Sequence, residues 1–219
     1  MLLPMVQNLG ETNSIINQYI AEIRDIKIQK DPMRFRRNLQ RIGNIFGYEI
    51  SKLLNFEKIQ VQTQLGEAEV SVLKDKLVLG TILRAGIPLH QGMLEVFDTA
   101  ENAFVGAYRK YNKLNKFHIE FDYLTSPEIT DKVLIIADPM LATGASMVLT
   151  CNKLYERGTP EHTHIVSVIA YKDGIEHILK NCDMSRTTIW VGAIDTELTA
   201  KGYIVPGLGD VGDLCYGVK

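Results

Sequence analysis

An aspartate in the middle of the chain follows a run of apolar residues, and a loop of small and hydroxylated residues follows the aspartate. The stretch reads VLIIADPMLATGAS, residues 133–146. A helical pattern begins at Ser146. Backbone N–H groups at a helix start, together with the positive end of the helix dipole, attract anions. The loop is therefore predicted to bind a phosphate, with hydroxyls from Thr143 and Ser146 as further donors and Asp138 accepting from sugar hydroxyls.

The same loop has a simpler interpretation, which is an ordinary strand–loop–helix turn capped by a serine or threonine. Gly144 permits a backbone turn that other residues resist, and this suits either interpretation. The loop is not a Walker A motif, because no lysine follows the glycine. Taken alone, these residues leave both interpretations open.

Two arginines are candidates for contacts with an anionic ligand. Arg84 follows the apolar strand pattern 77–83, and Ala85 and Gly86 turn the chain behind it. The planar guanidinium suits diphosphate oxygens, and a salt bridge to a nearby carboxylate is the alternative. Arg109 lies in the first strand of a predicted hairpin, beside several lysines. A solvated basic loop is the alternative for that cluster.

The C-terminal stretch YIVPGLGDVGD has a proline and two glycines, Pro206, Gly207 and Gly209, in close succession. Such a segment is expected to run irregularly and to leave main-chain hydrogen-bonding groups available to a ligand. The alternative is a glycine- and proline-rich loop that binds nothing.

The elements that position these residues alternate between strands and helices. Short apolar runs predict strands at 77–83, 133–137, 164–170 and 188–194, and helical periodicity predicts helices at 146–157 and 174–181. This alternation indicates an α/β fold with a mainly parallel sheet flanked by helices. Two strands, 104–109 and 116–124, are predicted to form a hairpin, since the second alternates between apolar and polar residues.

The N-terminal part of the chain is predicted to be helical. One amphipathic helix covers 14–25, and a second starts at Asp31-Pro32, an N-cap followed by proline, and continues to Leu53. We expect one domain over 1–219. Within it we expect a helical elaboration (1–60), a hairpin arm (104–124) and a C-terminal tail (195–219).

Composition excludes several classes of protein. The chain has 219 residues with a formal net charge of −2, so no global basic field would hold a nucleic acid. Its three cysteines form no CxxC pair, so neither a disulfide framework nor a zinc site is predicted. No signal peptide and no membrane-length apolar run is recognisable. The expected location is the cytoplasm.

Three stretches together resemble type I phosphoribosyltransferases, and the uracil phosphoribosyltransferases in particular. LIIADPMLATGAS resembles the loop that binds phosphoribosyl diphosphate (PRPP), and its Asp-Pro-Met form resembles the uracil enzymes. TILRAG, 81–86, resembles the family's diphosphate-binding turn. YIVPGLGD, 203–210, resembles the uracil-binding segment. The resemblance covers 77–219, with the motifs in the family's order.

The resemblance implies a site, a cofactor and an assembly. The implied catalytic residues are Arg84, Arg109 and Asp210. The implied PRPP-binding residues are these three together with Asp138, Pro139, Met140, Leu141, Ala142, Thr143, Gly144, Ala145 and Ser146. The implied uracil contacts are made by the main chain at Ile204, Gly209, Asp210 and Val211. Mg²⁺ is expected on substrate oxygens without a dedicated set of protein ligands, and a homodimer or homotetramer and GTP binding belong to the same expectations.

The activity that the resemblance implies is transfer of a 5-phosphoribosyl group from PRPP to N1 of uracil, giving UMP and diphosphate in pyrimidine salvage. Two alternatives remain: a phosphoribosyltransferase for another base, and a silent PRPP- or nucleotide-binding regulator. The chain departs from the family pattern at Ala145, where a second glycine is common, and at Leu214, where a basic residue is frequent. We expect activity to survive the first departure, while the second puts contacts beyond Asp213 in doubt.

Overall fold

The structure, a computed structural model, describes residues 5–111 and 117–218, with side chains described outside 107–122. The strands are β1 (Val6–Asn8), β2 (Phe56–Gln62), β3 (Glu67–Leu73), β4 (Leu77–Leu83), β5 (Glu101–Tyr111), β6 (Phe117–Thr125), β7 (Val133–Ala137), β8 (Met140–Leu141), β9 (His162–Tyr171), β10 (Thr187–Asp195), β11 (Glu197–Leu198) and β12 (Ile204–Val205). The helices are α1 (Ile15–Arg24), α2 (Pro32–Ser51), α3 (Ile87–Val96), α4 (Ala145–Tyr155), α5 (Lys172–Asn181) and α6 (Val211–Tyr216), with a 3₁₀ turn at Leu9–Glu11.

The central sheet has the strand order β1-β10-β9-β7-β4-β5-β6, with β8 beside β9. Neighbouring strands are parallel, except that β5 and β6 form an antiparallel hairpin. β7 lies inside the sheet, and all five of its residues are buried, as its unbroken apolar sequence predicts for a strand covered on both faces. The predicted fold class is therefore confirmed, and the predicted strands 77–83 and 133–137 match β4 and β7.

The N-terminal helices cover one face of the sheet. The Asp31 side chain accepts hydrogen bonds from the amides of Met33 and Arg34, at 2.9 and 3.1 Å, and thereby starts α2 at Pro32. The apolar stripe of α2 is buried in the core at Phe35, Leu39, Ile42, Phe46 and Ile50. Both predicted helices are present, although the second ends at Ser51, two residues before Leu53.

Helix α3, which the sequence did not predict, packs directly against α2 through glycines. A Cβ on Gly43 would overlap the carbonyl oxygen of Leu89, and a Cβ on Gly92 would overlap the carbonyl oxygen of Gln40. The two helix backbones therefore approach more closely than any larger residue allows. Helix α3 begins directly after the 84–86 turn, so this contact fixes the position of that turn.

The second unpredicted element is a two-stranded antiparallel sheet formed by β2 and β3. Every residue of β2 is exposed, including Phe56, Ile59 and Val61. An isolated hairpin is marginally stable in water without an apolar face to pack against.

Over the described ranges, no helix has the length and apolarity needed to cross a bilayer.

Candidate active site

The 84–86 turn and the 138–146 loop lie at the same edge of the sheet. β4 and β7 are parallel neighbours, with Thr81 opposite Ala137. The Thr81 hydroxyl donates to the carbonyl of Ala137 at 3.3 Å, and a Cβ on Gly86 would lie 3.0 Å from that same oxygen. Arg84 and Asp138 follow the carboxyl ends of these two strands, where ligands of open α/β sheets bind.

The first half of the 138–146 loop is attached to β9. The amide of Asp138 donates to the carbonyl of Val166 at 3.1 Å, and the amide of Ile169 donates to the carbonyl of Pro139 at 3.0 Å. Residues 140–141 form β8, which pairs with β9, and the Leu141 side chain is buried. Pro139 and Leu141 therefore attach the first half of the loop to the sheet.

The second half of the loop turns into α4 through a left-handed glycine. Gly144 has φ of 76° and is the N-cap residue, and a Cβ there would lie 2.6 Å from the carbonyl oxygen of Gly174. The helix begins at Ala145, one residue earlier than predicted. Amides in the first turn of a helix have no carbonyl partner within the helix, so this end of α4 presents donors suited to an anion.

Helix α5 supports the loop from behind. Gly174 lies in its first turn, and a Cβ at that position would overlap the carbonyl oxygen of Ala142. The loop therefore takes its shape from β9 and α5, which follow it in the chain.

Arg84 contacts the C-terminal tail. Its Nη2 lies 3.1 Å from Oδ1 of Asp213, and both terminal nitrogens lie 3.4 Å from the carbonyl oxygen of Gly217. The salt bridge that was the alternative interpretation is thus present. Both side chains are about one-third exposed, at 35% and 32%, and such a pair contributes little and can be replaced by a stronger anion. Within the described part of the chain, the buried Nε of Arg84 has no hydrogen-bond partner.

The tail is more ordered than its sequence predicts. After β12 the chain turns through Gly207, which has φ of 53°, and α6 begins at Val211. The Asp210 carboxylate caps α6 by accepting from the amide of Asp213 at 3.0 Å. The expected irregular course is therefore wrong beyond Asp210, because this cap starts a helix there. Leu214 packs against the core, where a basic residue would place a charge.

The four residues expected to contact uracil divide into two groups. Ile204 and Val211 are buried in the core, so their side chains fix the segment. Gly209 and Asp210 are exposed. Nearby, burial raises the pKa of Cys215 to about 12, so its thiol stays neutral and is not a nucleophile.

Arg109 lies in β5, opposite Ile119 of β6 in the hairpin. Its side chain, and residues 112–116 between the two strands, lie outside the described part of the structure. The role of Arg109 stays a prediction.

Sequence reasoning missed two residues that contact this region. Asp195, the last residue of β10, accepts from the amide of Gly207 at 2.9 Å, and Arg24 donates to the Gly207 carbonyl at 2.8 Å. Asp195 was recognisable, because it follows an apolar strand as Asp138 does. Arg24, at the end of a separate helix, gives no such signal.

Two histidines lie near the opposite, amino-terminal edge of the sheet. Nε1 of Trp190 donates to Nδ1 of His164 at 3.1 Å, and the ring of His162 lies 4.6 Å from that of His164. Burial, followed by the neighbouring His162, lowers the pKa of His164 to about 3. This side chain is therefore a neutral part of the core, remote from the 138–146 loop.

Comparison with known proteins identifies the family. The family model described as Uracil phosphoribosyltransferase matches residues 11–218. The chain belongs to the uracil phosphoribosyltransferase family. A uracil phosphoribosyltransferase of Porphyromonas gingivalis is 52% identical over 214 residues, covering 98% of this chain and 99% of the relative. One from Pyrococcus furiosus is 40% identical over 210 residues, covering 94% and 88%.

Solved structures give the same fold. The AQ2163 protein from Aquifex aeolicus superposes with a TM-score of 0.85 at 30% identity, over 98% of this chain and 99% of that one. A hypoxanthine phosphoribosyltransferase from Staphylococcus aureus gives a TM-score of 0.50 at 14% identity, over 85% and 84%. At that identity the second likeness shows the fold alone. The uracil phosphoribosyltransferase family is thus assigned from the sequence matches.

Proposed function

We propose that this chain transfers a 5-phosphoribosyl group from PRPP to N1 of uracil, forming UMP and diphosphate. One observation supports this above all: Arg84 lies on a turn packed against the strand end before Asp138, while its guanidinium pairs with Asp213 of the tail. The two substrates would therefore meet beside one arginine. Membership of the uracil phosphoribosyltransferase family supports the same reaction.

The 138–146 loop is proposed to bind the 5′-phosphate and the ribose. The first-turn amides of α4 and the hydroxyls of Thr143 and Ser146 donate to phosphate oxygens. The Asp138 carboxylate accepts from ribose hydroxyls. The half-buried Ala145 is the first residue of α4, a conformation that does not require glycine, which supports retained activity despite this departure.

The diphosphate is proposed to bind Arg84 and, from the hairpin, Arg109. Diphosphate brings more charge than the Asp213 carboxylate, so PRPP would break the partly exposed Arg84–Asp213 ion pair and take up the donors of Arg84. These arginines then stabilise the negative charge that develops on the leaving group. Asp210, exposed at the start of α6, is proposed to orient PRPP beside the reacting carbon.

Uracil is proposed to be read by the main chain at 204–211. Uracil presents a donor at N3 and an acceptor at O4, and cytosine reverses both. Fixed main-chain groups would leave cytosine with unpaired polar atoms, which can reduce kcat/KM on the order of 10⁴-fold. The left-handed turn at Gly207 and the buried Ile204 and Val211 support a segment rigid enough for this discrimination.

Mg²⁺ is proposed to enter with PRPP. The separate carboxylates of Asp138 and Asp210 offer oxygen ligands of the type Mg²⁺ prefers, and they fit an ion held mainly by substrate oxygens and water. When bound, the ion would neutralise charge on the diphosphate.

Self-association is proposed for the chain. The exposed apolar residues on the β2–β3 hairpin, including Phe56 and Ile59, support a contact with a second copy, because a lone hairpin gains stability by packing. Sedimentation of the purified chain distinguishes a dimer or tetramer from a monomer. The cytoplasmic location stays a prediction.

The test is an assay with PRPP, Mg²⁺ and a panel of free bases. We expect UMP from uracil and a rate with cytosine that is lower by about 10⁴-fold. Comparable rates with both bases would contradict main-chain recognition, and turnover of a purine instead would indicate a phosphoribosyltransferase for another base. Binding of PRPP without turnover of any base would indicate a regulator.

A further inference from the structure

Gly207, in the middle of the tail, is held through both of its main-chain polar groups. Its amide donates to Oδ2 of Asp195 at 2.9 Å, and its carbonyl accepts from Nη1 of Arg24 at 2.8 Å. The same Nη1 donates to Oδ2 of Asp195 at 2.8 Å, and Nη2 donates to Oδ1 at 2.8 Å. The three residues therefore form a closed ring of hydrogen bonds, here called the Gly207 clamp.

The clamp has the features of a rigid support. The Asp195 side chain is 7% exposed and that of Arg24 is 22% exposed, so water competes little for these bonds. A forked arginine–carboxylate pair fixes orientation as well as distance. Gly207 has φ of 53°, and a Cβ there would overlap the carbonyl of Ile204, so only glycine fits the turn that the clamp holds.

The clamp lies between the positions proposed to read uracil. Gly207 separates Ile204 from Gly209, so displacement of its peptide groups moves the main chain on both sides. Arg24 is itself held in place at the C-terminal end of α1, because Nε2 of Gln29 donates to its carbonyl at 3.1 Å.

We propose that Arg24 and Asp195 are positioning residues for uracil recognition, acting through Gly207 on the main-chain groups of 204–211. This inference rests on the proposed function. The clamp holds the tail and contacts no residue of the 138–146 loop among the described contacts. Its loss should therefore weaken uracil binding and base discrimination while leaving PRPP binding unchanged.

The experiment compares Arg24→Gln with Arg34→Gln. Arg34, on the neighbouring α2, makes the same type of forked bond, with Nη2 and Nε at 2.8 and 3.0 Å from the Glu22 carboxylate. It lies in no described contact with the tail, so it controls for the loss of a forked ion pair. For Arg24→Gln we expect the uracil KM to rise about tenfold and the uracil-to-cytosine ratio of kcat/KM to fall about tenfold. The PRPP KM should stay within about twofold in both variants.

Two further variants keep the test decisive. Arg24→Lys retains the charge but loses the fork, so its uracil KM should lie between those of the wild type and Arg24→Gln. If Arg24→Gln does not fold, Asp195→Asn takes its place, because the amide keeps an acceptor for the Gly207 amide but not the ion pair. Thermal unfolding reports whether each variant is folded.

The results separate the clamp from the proposed function. A folded Arg24→Gln, or the folded replacement Asp195→Asn, with an unchanged uracil KM overturns the clamp, and so does an equal rise in the KM of uracil and PRPP. An increase confined to uracil, with Arg34→Gln unaffected, supports it. A wild-type chain that forms no UMP would instead refute the proposed function itself.

Discussion

The 138–146 loop and the 204–216 tail lie beside the same turn but are built differently. The loop is a continuous strand–loop–helix unit whose supports, β9 and α5, follow it closely in the chain. The tail also depends on partners far away in sequence: Arg24 lies 183 positions from Gly207 and Arg84 lies 129 from Asp213, although Asp195 lies only 12 from Gly207. Local sequence therefore encodes most of the shape of the proposed phosphate site, whereas the proposed base site also depends on contacts between distant parts of the chain.

The strongest test of this comparison is Arg84→Ala. The Arg84 side chain pairs with Asp213 of the tail, and the turn that carries it packs against the strand end that precedes the loop. Loss of charge-assisted bonds to a departing diphosphate should lower kcat/KM by roughly 10²-fold or more. Steady-state kinetics with both substrates measures this loss. Turnover at the wild-type rate would show that the Arg84–Asp213 pair is structural only.

A second test uses two glycines, one from each region. Gly174→Ala places a methyl group against the Ala142 carbonyl, and overpacking typically costs about 1–3 kcal/mol. If this free energy is lost from PRPP binding, the PRPP KM rises roughly tenfold to a hundredfold. Gly207→Ala should instead raise the KM for uracil.

The control for this pair is Gly80→Ala, since a Cβ at that buried position has its nearest neighbours at 3.6 Å and clashes with nothing. If Gly174→Ala raised both KM values equally, the two regions would not be independent.

A smaller effect is expected from Asp138→Asn. The amide is nearly isosteric with the carboxylate, so the fold should stay intact, but the charge that favours ribose hydroxyls is lost. The PRPP KM should rise about tenfold with the uracil KM unchanged. An unchanged PRPP KM would remove Asp138 from the ribose site.

The smallest effect on catalysis should come from the opposite edge of the sheet. The pKa of His164 is about 3 in the folded chain and about 6.5 when unfolded, so the unfolded state binds the extra proton between these values. Protonation of the unfolded chain should therefore lower the free energy of unfolding. The decrease is about 1.4 kcal/mol for each pH unit below 6.5.

Urea unfolding at several pH values measures this slope. His164→Gln should make it shallower. The PRPP and uracil KM values at neutral pH should be unchanged in this variant. A selective shift of one KM in His164→Gln would contradict the separation of the two sheet edges.

Much of the fold could be predicted because its signals are local. β7 is an unbroken apolar run, and α2 has both a cap at Asp31 and an apolar stripe, so each is defined by its own residues. Helix α3 was missed because it contains proline and glycine. It also buries three consecutive residues, Pro88, Leu89 and His90, so its buried positions do not follow the helical spacing of three or four residues. β2 was missed because it is exposed along its whole length and shows no buried face.

The site divides in the same way. Asp138, Gly144 and the start of α4 follow from a strand, a loop and a helix that adjoin in sequence. The partnership of Arg24 with Asp195 could not be predicted, because each residue alone is an ordinary charged side chain and only the fold brings them together. The helix at 211–216 was missed because glycines on either side of Asp210 concealed its cap.

The glycine contact between α2 and α3 has a consequence for how sequence change spreads through this chain. Since no side chain fits between the two backbones at Gly43 and Gly92, α3 cannot slide along α2 to absorb a larger residue. A single methyl group there would tilt α3. Its first turn, and with it the neighbouring Arg84, would then move. Substitutions at Gly43 or Gly92 should therefore weaken or alter diphosphate binding even where the protein still folds.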